Sequence, residues 1–227
     1  SDVLRKTYPA FAGTGRLTAA EFELKARGNF PGTVLDSLGS LASAYEHAGQ
    51  DEEARKFWEL VHRTGQGGWE VAALEYKAGR YDDVIRRLEP KVESGEWFAA
   101  ESAKTIGDAY AQKGQPDRAR GYYKRAFELV RQRKQAATPA LLGEGALEFS
   151  LKNFRRAAEI YRQLRQDAPS NPLGPFYEGR ALEEMGQPEE AYSFYQVALQ
   201  MAKDAPPDTG LKLSDLRRQM GITAGEL

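Results

Sequence analysis

The stretch AYAQKGQPDRARGYY, residues 109–123, ends one helix, turns and opens another. It is written twice more, as AYEHAGQDEEARKFW over 44–58 and as ALEEMGQPEEAYSFY over 181–195. Each copy has a small residue followed by an aromatic or Leu, a turn glycine, an alanine five residues on and an aromatic four beyond that. Gly114 supplies the left-handed residue that closes a helix with little strain. Pro116 then starts the next helix, where a missing N–H costs nothing. Upstream, Ala103, Ile106, Gly107 and Tyr110 share one helical face; downstream, Ala119, Tyr123, Ala126 and Phe127 form the apolar stripe of the partner helix. Gly107 and Ala119 are small enough to bring the two helices close. The last copy repeats this with Gly179, Leu182, Gly186, Pro188, Ala191, Tyr195 and Ala198.

Working outward, fainter copies read EYKAGRYDDVIRRL around Gly79, EFSLKNFRRAAEIY around Lys152 and FAGTGRLTAAEFEL around Gly15. The turn residues Gly15, Gly49, Gly79, Gly114, Lys152 and Gly186 are 34, 30, 35, 38 and 34 residues apart. A period near 34 predicts a stack of antiparallel helical hairpins. One hairpin cannot bury both its faces, so neighbours must stabilise one another. The spacing predicts one array over residues 1–205, its first repeat partial. Residues 206–227 change character, to PPDTGLKLSDLRRQMGITAGEL. Ser214 is placed to cap a short helix running to Gln219, with Leu213, Leu216 and Met220 on one side. This is expected to be a capping segment over the end of the array.

Composition narrows the function classes. Among 227 residues, 32 Lys and Arg nearly balance 33 Asp and Glu, so no net field draws the chain to nucleic acid or anionic lipid. There are no cysteines, which excludes disulfides, thiolate metal sites and cysteine nucleophiles. No apolar run approaches the roughly 18 residues of a membrane span, so no membrane insertion is expected. The compartment stays open between cytoplasm and periplasm. The start at Ser1 and the Pro9 inside the first repeat suggest a piece of a longer protein.

The pattern resembles the tetratricopeptide repeat family, whose signature is an aromatic, Leu-Gly, Tyr, Ala, an aromatic and a late proline. Ile106-Gly107, Tyr110, Ala119, Tyr123 and Ala126 match it, as do Leu41-Ala42, Tyr45, Ala54 and Trp58, and Ala157, Tyr161 and Pro169. The likeness covers about Gly15 to Ala205 and implies an all-α, right-handed superhelical solenoid of about six hairpins with a C-terminal capping helix. Two copies depart in their first helix. Trp69, Ala72-Ala73 and Tyr76 fit with that helix one residue short, and Leu142-Gly143 fits with a turn of about two residues.

The resemblance implies that partners bind on the first helices, on the side facing away from the hairpin core. It places Ser43, Glu46, Lys77, Lys104, Asp108, Phe176, Arg180 and Glu183 there. Co-chaperone members hold a peptide carboxylate with Lys and Asn, then Asn, then Lys and Arg in consecutive hairpins. Here those positions read Gly39 and Ser43, then Val71 or Glu70, then Glu101 and Thr105, so that clamp is absent. Trp69, Tyr76 and Phe149 suggest an aromatic stripe along the groove, but they fit packing positions better, and Leu142, Ala146 and Phe149 read as an apolar side opposite Glu144 and Glu148.

Other constellations carry less. His47 and His62 fall in different helices of one hairpin, too few for a metal site or an acid–base pair. The glycines at 12–15 and 64–68 lack the following lysine and hydroxyl residue of a phosphate loop and read as turns. A basic run, Arg118, Arg120, Lys124, Arg125, Arg131, Arg133 and Lys134, lies on one second helix, with Arg155, Arg156, Arg162 and Arg165 on the next. It could neutralise several phosphates if lined up, but Asp117, Glu128, Glu159 and Asp167 interrupt it, so a solvated face is the expectation. The reading is a non-catalytic interaction scaffold or adaptor with no cofactor and no metal, binding a peptide or helix of another protein. The alternatives are a spacer or self-assembly module whose partner is an identical copy, and nucleic-acid binding through residues 118–134.

Overall fold

The computed structural model describes residues 32–62, 68–95 and 98–204. The partial first repeat and the capping segment expected at 206–227 lie outside those residues. The described residues form helices joined by turns: α1 (Gly32–His47), α2 (Asp51–His62), α3 (Gly68–Lys77), α4 (Tyr81–Ser94), α5 (Ala99–Gln112), α6 (Pro116–Gln132), α7 (Thr138–Ser150), α8 (Phe154–Asp167), α9 (Leu173–Glu184) and α10 (Pro188–Asp204). They divide into two compact units. One holds residues up to Arg87, and the second runs from Leu88 onward.

In the first unit, α1 and α2 form a hairpin around Leu38, Ala42, Phe57, Leu60 and Val61, with Tyr45 and Trp58 against them. Helix α3 packs on α2. In the second unit, the hairpins α5–α6, α7–α8 and α9–α10 each pack on the next, so that α6 meets α7 and α8 meets α9. Every hairpin turns the same way. Gly114 has φ 68°, and Gln115 N–H donates back to Tyr110 O at 2.9 Å, the six-residue closure of a helix that ends on a left-handed residue. Gly49, Gly79 and Gly186 do likewise, and so does Lys152, at φ 60° without a glycine's freedom.

That shared turn fixes the register the sequence left open. Seven residues before it stands the small residue, and nine after it stands the aromatic of the second helix. In α5–α6 these are Gly107 and Tyr123, and a Cβ on Gly107 would come within 2.8 Å of the Tyr123 ring. In α7–α8 they are Gly145 and Tyr161, at 2.5 Å, and in α9–α10 Gly179 and Tyr195, at 2.9 Å. Real Cβ atoms do not approach so closely, so ring and backbone are in direct contact in all three hairpins. The residue of this repeat that plays the Gly107 part is therefore Gly145, not Gly143. The turn at Lys152 has its full three residues, 151–153. Gly143 faces the other way, its Cβ position 2.5 Å from Tyr123 of the preceding hairpin. Around Gly79 the same count puts Val71-Ala72 in place of Leu-Gly, and no residue is missing from α3.

Once the register is set, one seat becomes diagnostic. Four residues before the turn stand Tyr45, Glu75, Tyr110, Glu148 and Leu182. Tyr45 stacks on Phe57, ring centroids 5.4 Å apart, and Tyr110 on Tyr122 at 5.5 Å. Glu75 and Glu148, expected on an outer face in the case of Glu148, are instead buried at 4% and 3% exposure. An arginine meets each. Arg87 donates to both oxygens of Glu75, at 3.0 and 2.7 Å, and to Glu59 of α2 at 2.7 Å. Arg120 of α6 and Asn153 hold Glu148. A further glutamate, Glu178, has no exposure and accepts from Arg162 and Arg165 of α8, both at 3.0 Å. Burying a carboxylate is tolerable only with such partners.

Candidate functional site

The second unit presents three first helices, α5, α7 and α9, and their uncovered side is the candidate site. Counted from Gly107, Gly145 and Gly179, three positions recur there. Three residues before stand Lys104 and Leu142, the same count in α9 giving Phe176, which is turned into the core; one after stand Asp108, Ala146 and Arg180; four after stand Ala111, Phe149 and Glu183. Helix α5 lies beside α7, and Arg180 of α9 lays its guanidinium over the Phe149 ring of α7, 5.1 Å from the centroid. The centre is apolar: Ala146 is exposed, Leu142 and Phe149 half-buried. The flanks are charged.

The charges on the two flanks differ in what holds them. Lys104 Nζ pairs with Asp108 Oδ2 at 2.6 Å, and Asp108 Oδ1 accepts from the Tyr123 hydroxyl at 2.8 Å. On the α9 side, Glu183 accepts from the Tyr195 hydroxyl at 2.7 Å. Arg180 has only the aromatic ring: among the described residues no carboxylate pairs with it.

Of the residues expected in the groove, Lys104, Asp108, Arg180 and Glu183 lie on this side. Phe176 does not. At 6% exposure it is packed with Leu182, Ala191, Tyr195, Ala198 and Leu199, edge-on to Tyr177, because its ring fills the space between α9 and α10. In the first unit, Ser43 accepts from His47 through its backbone oxygen at 2.7 Å, and Glu46 accepts from the Trp58 indole at 3.0 Å. Lys77 reaches back to Asp51 of α2 at 2.7 Å and so ties α3 to the preceding hairpin. The expectation of core positions for Trp69 and Phe149 is also corrected. Trp69 is 41% exposed, and Phe149 sits against Phe154 with one face under Arg180. Tyr76 is half-buried, edge-on to Tyr81. The register explains the error: counted from the turn, all three fall on the uncovered side of their helices.

Part of the basic run is held in ion pairs. Arg120 binds Asp117 and Glu148, Arg131 binds Asp167 at 2.8 Å, and Arg125 lies 3.9 Å from Glu128. Arg118 lies over the Tyr110 ring, Arg133 donates to Gly95 O, and Arg162 and Arg165 serve Glu178. Lys124 is exposed. With Arg120, Arg131, Arg162 and Arg165 committed to carboxylates, those four would have to leave their partners to bind phosphates, which makes the run a poor phosphate track. Among the described residues, no three His, Asp or Glu side chains come together as a metal site, and no helix is long and apolar enough to cross a membrane.

Repeated helical hairpins with a shared turn, a glycine–tyrosine contact in each hairpin of the second unit and an uncovered row of first helices define a hairpin-repeat protein. Residues 105–137 and 179–208 each match the family described as tetratricopeptide repeat. Within these two stretches the chain carries tetratricopeptide repeats. Solved structures agree on the fold. A thermophilic TPR protein of Thermus thermophilus matches with a TM-score of 0.59 at 18% identity, covering 82% of this chain and 97% of its own. The MamA protein matches with a TM-score of 0.57 at 18% identity, covering 77% and 94%. YrrB, described as a TPR protein with an unusual peptide-binding site, matches with a TM-score of 0.50 at 15% identity, covering 74% and 86%. Curated protein sequences gave no match.

Proposed function

We propose that this chain is a non-catalytic interaction module whose second unit binds a segment of another protein across α5, α7 and α9. The carrying observation is the uncovered apolar centre, Leu142, Ala146 and Phe149, bounded by the Lys104–Asp108 pair and by Arg180. An apolar strip with charged margins is what a peptide or helix with a few apolar anchors needs: the anchors exclude water and the margins set register. The fold supports the reading, since family neighbours include a protein described by its peptide-binding site.

The test is a photoreactive phenylalanine analogue placed at position 149, or at Lys124 on the second-helix side, in cells of the source organism. The reading expects one partner segment, mapped by mass spectrometry, to cross-link from position 149 and not from 124. Cross-linking from position 124 alone would move the binding face to the second helices and contradict it.

A further inference from the structure

Resting on that reading, we infer that the segment bound by the second unit carries an acidic side chain next to an apolar one, and that Arg180 on Phe149 is the seat for that pair. The arginines of this unit show why. Arg120, Arg131, Arg156, Arg162 and Arg165 each meet a carboxylate of the chain itself within 4.0 Å. Arg118, over the Tyr110 ring, and Arg155 also lack an acid among the described residues, but both are exposed, whereas Arg180 is half-buried, spread over an aromatic face and without an acid beside it. Stacking on a ring fixes the plane of a guanidinium without using its N–H groups, so the donors stay pointed outward in a fork that fits a carboxylate. Its half-buried setting removes part of its water, which strengthens a bond to a negative partner.

The rest of the face makes the selection one-sided. Lys104 is neutralised by Asp108, and Asp108 and Glu183 are already engaged by the Tyr123 and Tyr195 hydroxyls. A basic side chain from a partner would meet acids that have donors, whereas an acidic one meets a cation without an acceptor. One and two helical turns of α7 away lie Ala146 and Leu142, where the neighbouring apolar side chain of the partner would rest. The occupant this chemistry fits is a protein segment with Asp or Glu adjacent to Leu, Ile, Met or an aromatic residue, not a basic peptide and not a nucleic acid.

The experiment selects random dodecapeptides displayed on phage against the full chain, then measures the tightest by fluorescence anisotropy. The expected peptides contain an acid beside an apolar residue. Arg180→Gln weakens them about tenfold, changing the peptide's acid to its amide does the same, and the two changes together cost no more than either alone. That coupling cannot come from a misfolded variant, which would add its defect to the other. Selected peptides without an acid, or losses from the two changes that simply add, would overturn the inference. Ala146→Arg separates the two levels: it should abolish binding wherever the uncovered face is the site. Peptides lost with Ala146→Arg but indifferent to Arg180→Gln overturn the acid seat and leave the groove standing. Peptides indifferent to both, or no selectable peptide, overturn both.

Discussion

Hairpins α5–α6 and α3–α4 put different chemistry in the same seat. In the former, Tyr110 stacks on Tyr122, twelve residues apart across the turn. In the latter, the residues with the same spacing are Glu75 and Arg87, joined by two hydrogen bonds. The aromatic pair gains its energy from buried area and ring geometry, and its outward link is a single neutral donor, the Tyr122 hydroxyl on Glu89 of α4 at 2.7 Å. The ion pair must offset the desolvation of two charges, and its arginine extends to Glu59 of the preceding hairpin. Both arrangements reach the preceding hairpin, the first through a neutral hydroxyl at the edge of a stacked pair and the second through a charge that must itself be satisfied.

The largest expected effect breaks that comparison outright. Arg87→Met leaves Glu75 buried without a donor and should lower stability by about 3 kcal/mol, whereas Tyr122→Leu should cost about 1–2 kcal/mol. Urea unfolding of the full chain reads both. The exchange Glu75→Tyr with Arg87→Phe installs the aromatic version, and it should recover most of the loss, because an apolar pair of similar volume often matches a buried ion pair. If the exchange were as unstable as Arg87→Met alone, the two seats would not be equivalent.

Glycine gives the next contrast. Gly145→Ala sets a methyl 2.5 Å from the Tyr161 ring and should destabilise by about 2 kcal/mol. Gly121→Ala, on the exposed side of α6 with nothing within 4 Å, should stabilise by about 0.5–1 kcal/mol. Lys152→Gly relieves a left-handed non-glycine residue and should gain about 1 kcal/mol; thermal unfolding that moves down instead would refute the turn assignment.

The smallest effects concern acid, and they run in opposite directions on one helix. Arg120 holds the Glu148 carboxyl below its ordinary value near 4.5. The stability it contributes is therefore complete above about 4.5 and is lost as pH falls through the lowered folded value. Burial pushes Glu144, one turn away, upward, against the opposing pull of Arg156. Its ionised form is disfavoured in the fold, so it opposes folding once pH has risen past the raised folded value, and this penalty fades on acidification. Glu148→Gln should lower stability at neutral pH and flatten the acid limb, while Glu144→Gln should leave stability unchanged or raise it. Equal losses from both would contradict the assignment.

The sequence carried the hairpins well wherever a turn glycine, a small residue and an aromatic occurred together, as in α5–α6 and α9–α10. It carried the register poorly around Gly79 and Lys152. There the tyrosine seat holds a glutamate, and a glutamate in an isolated sequence reads as solvated. The arginine that makes its burial possible lies 12 residues downstream for Glu75 and 28 upstream for Glu148, a distance no local pattern spans. Phe176 was misplaced because an aromatic on a first helix fits both core and groove by spacing, and only the packing of α9 on α10 decides. Trp69 and Phe149 erred the other way, since each was aligned one residue or more off the true turn. The signal that would have found both was the count back from the left-handed residue.

The proposed binding face is the uncovered side of α7 and α9. Hydrogen exchange of the full chain, with and without the tightest selected dodecapeptide, tests it directly. Slowed amide exchange over 142–149 and 176–183, with α6 and α8 unchanged, is the predicted result. Protection centred on α6 or α8, with those first-helix segments unaffected, would contradict it.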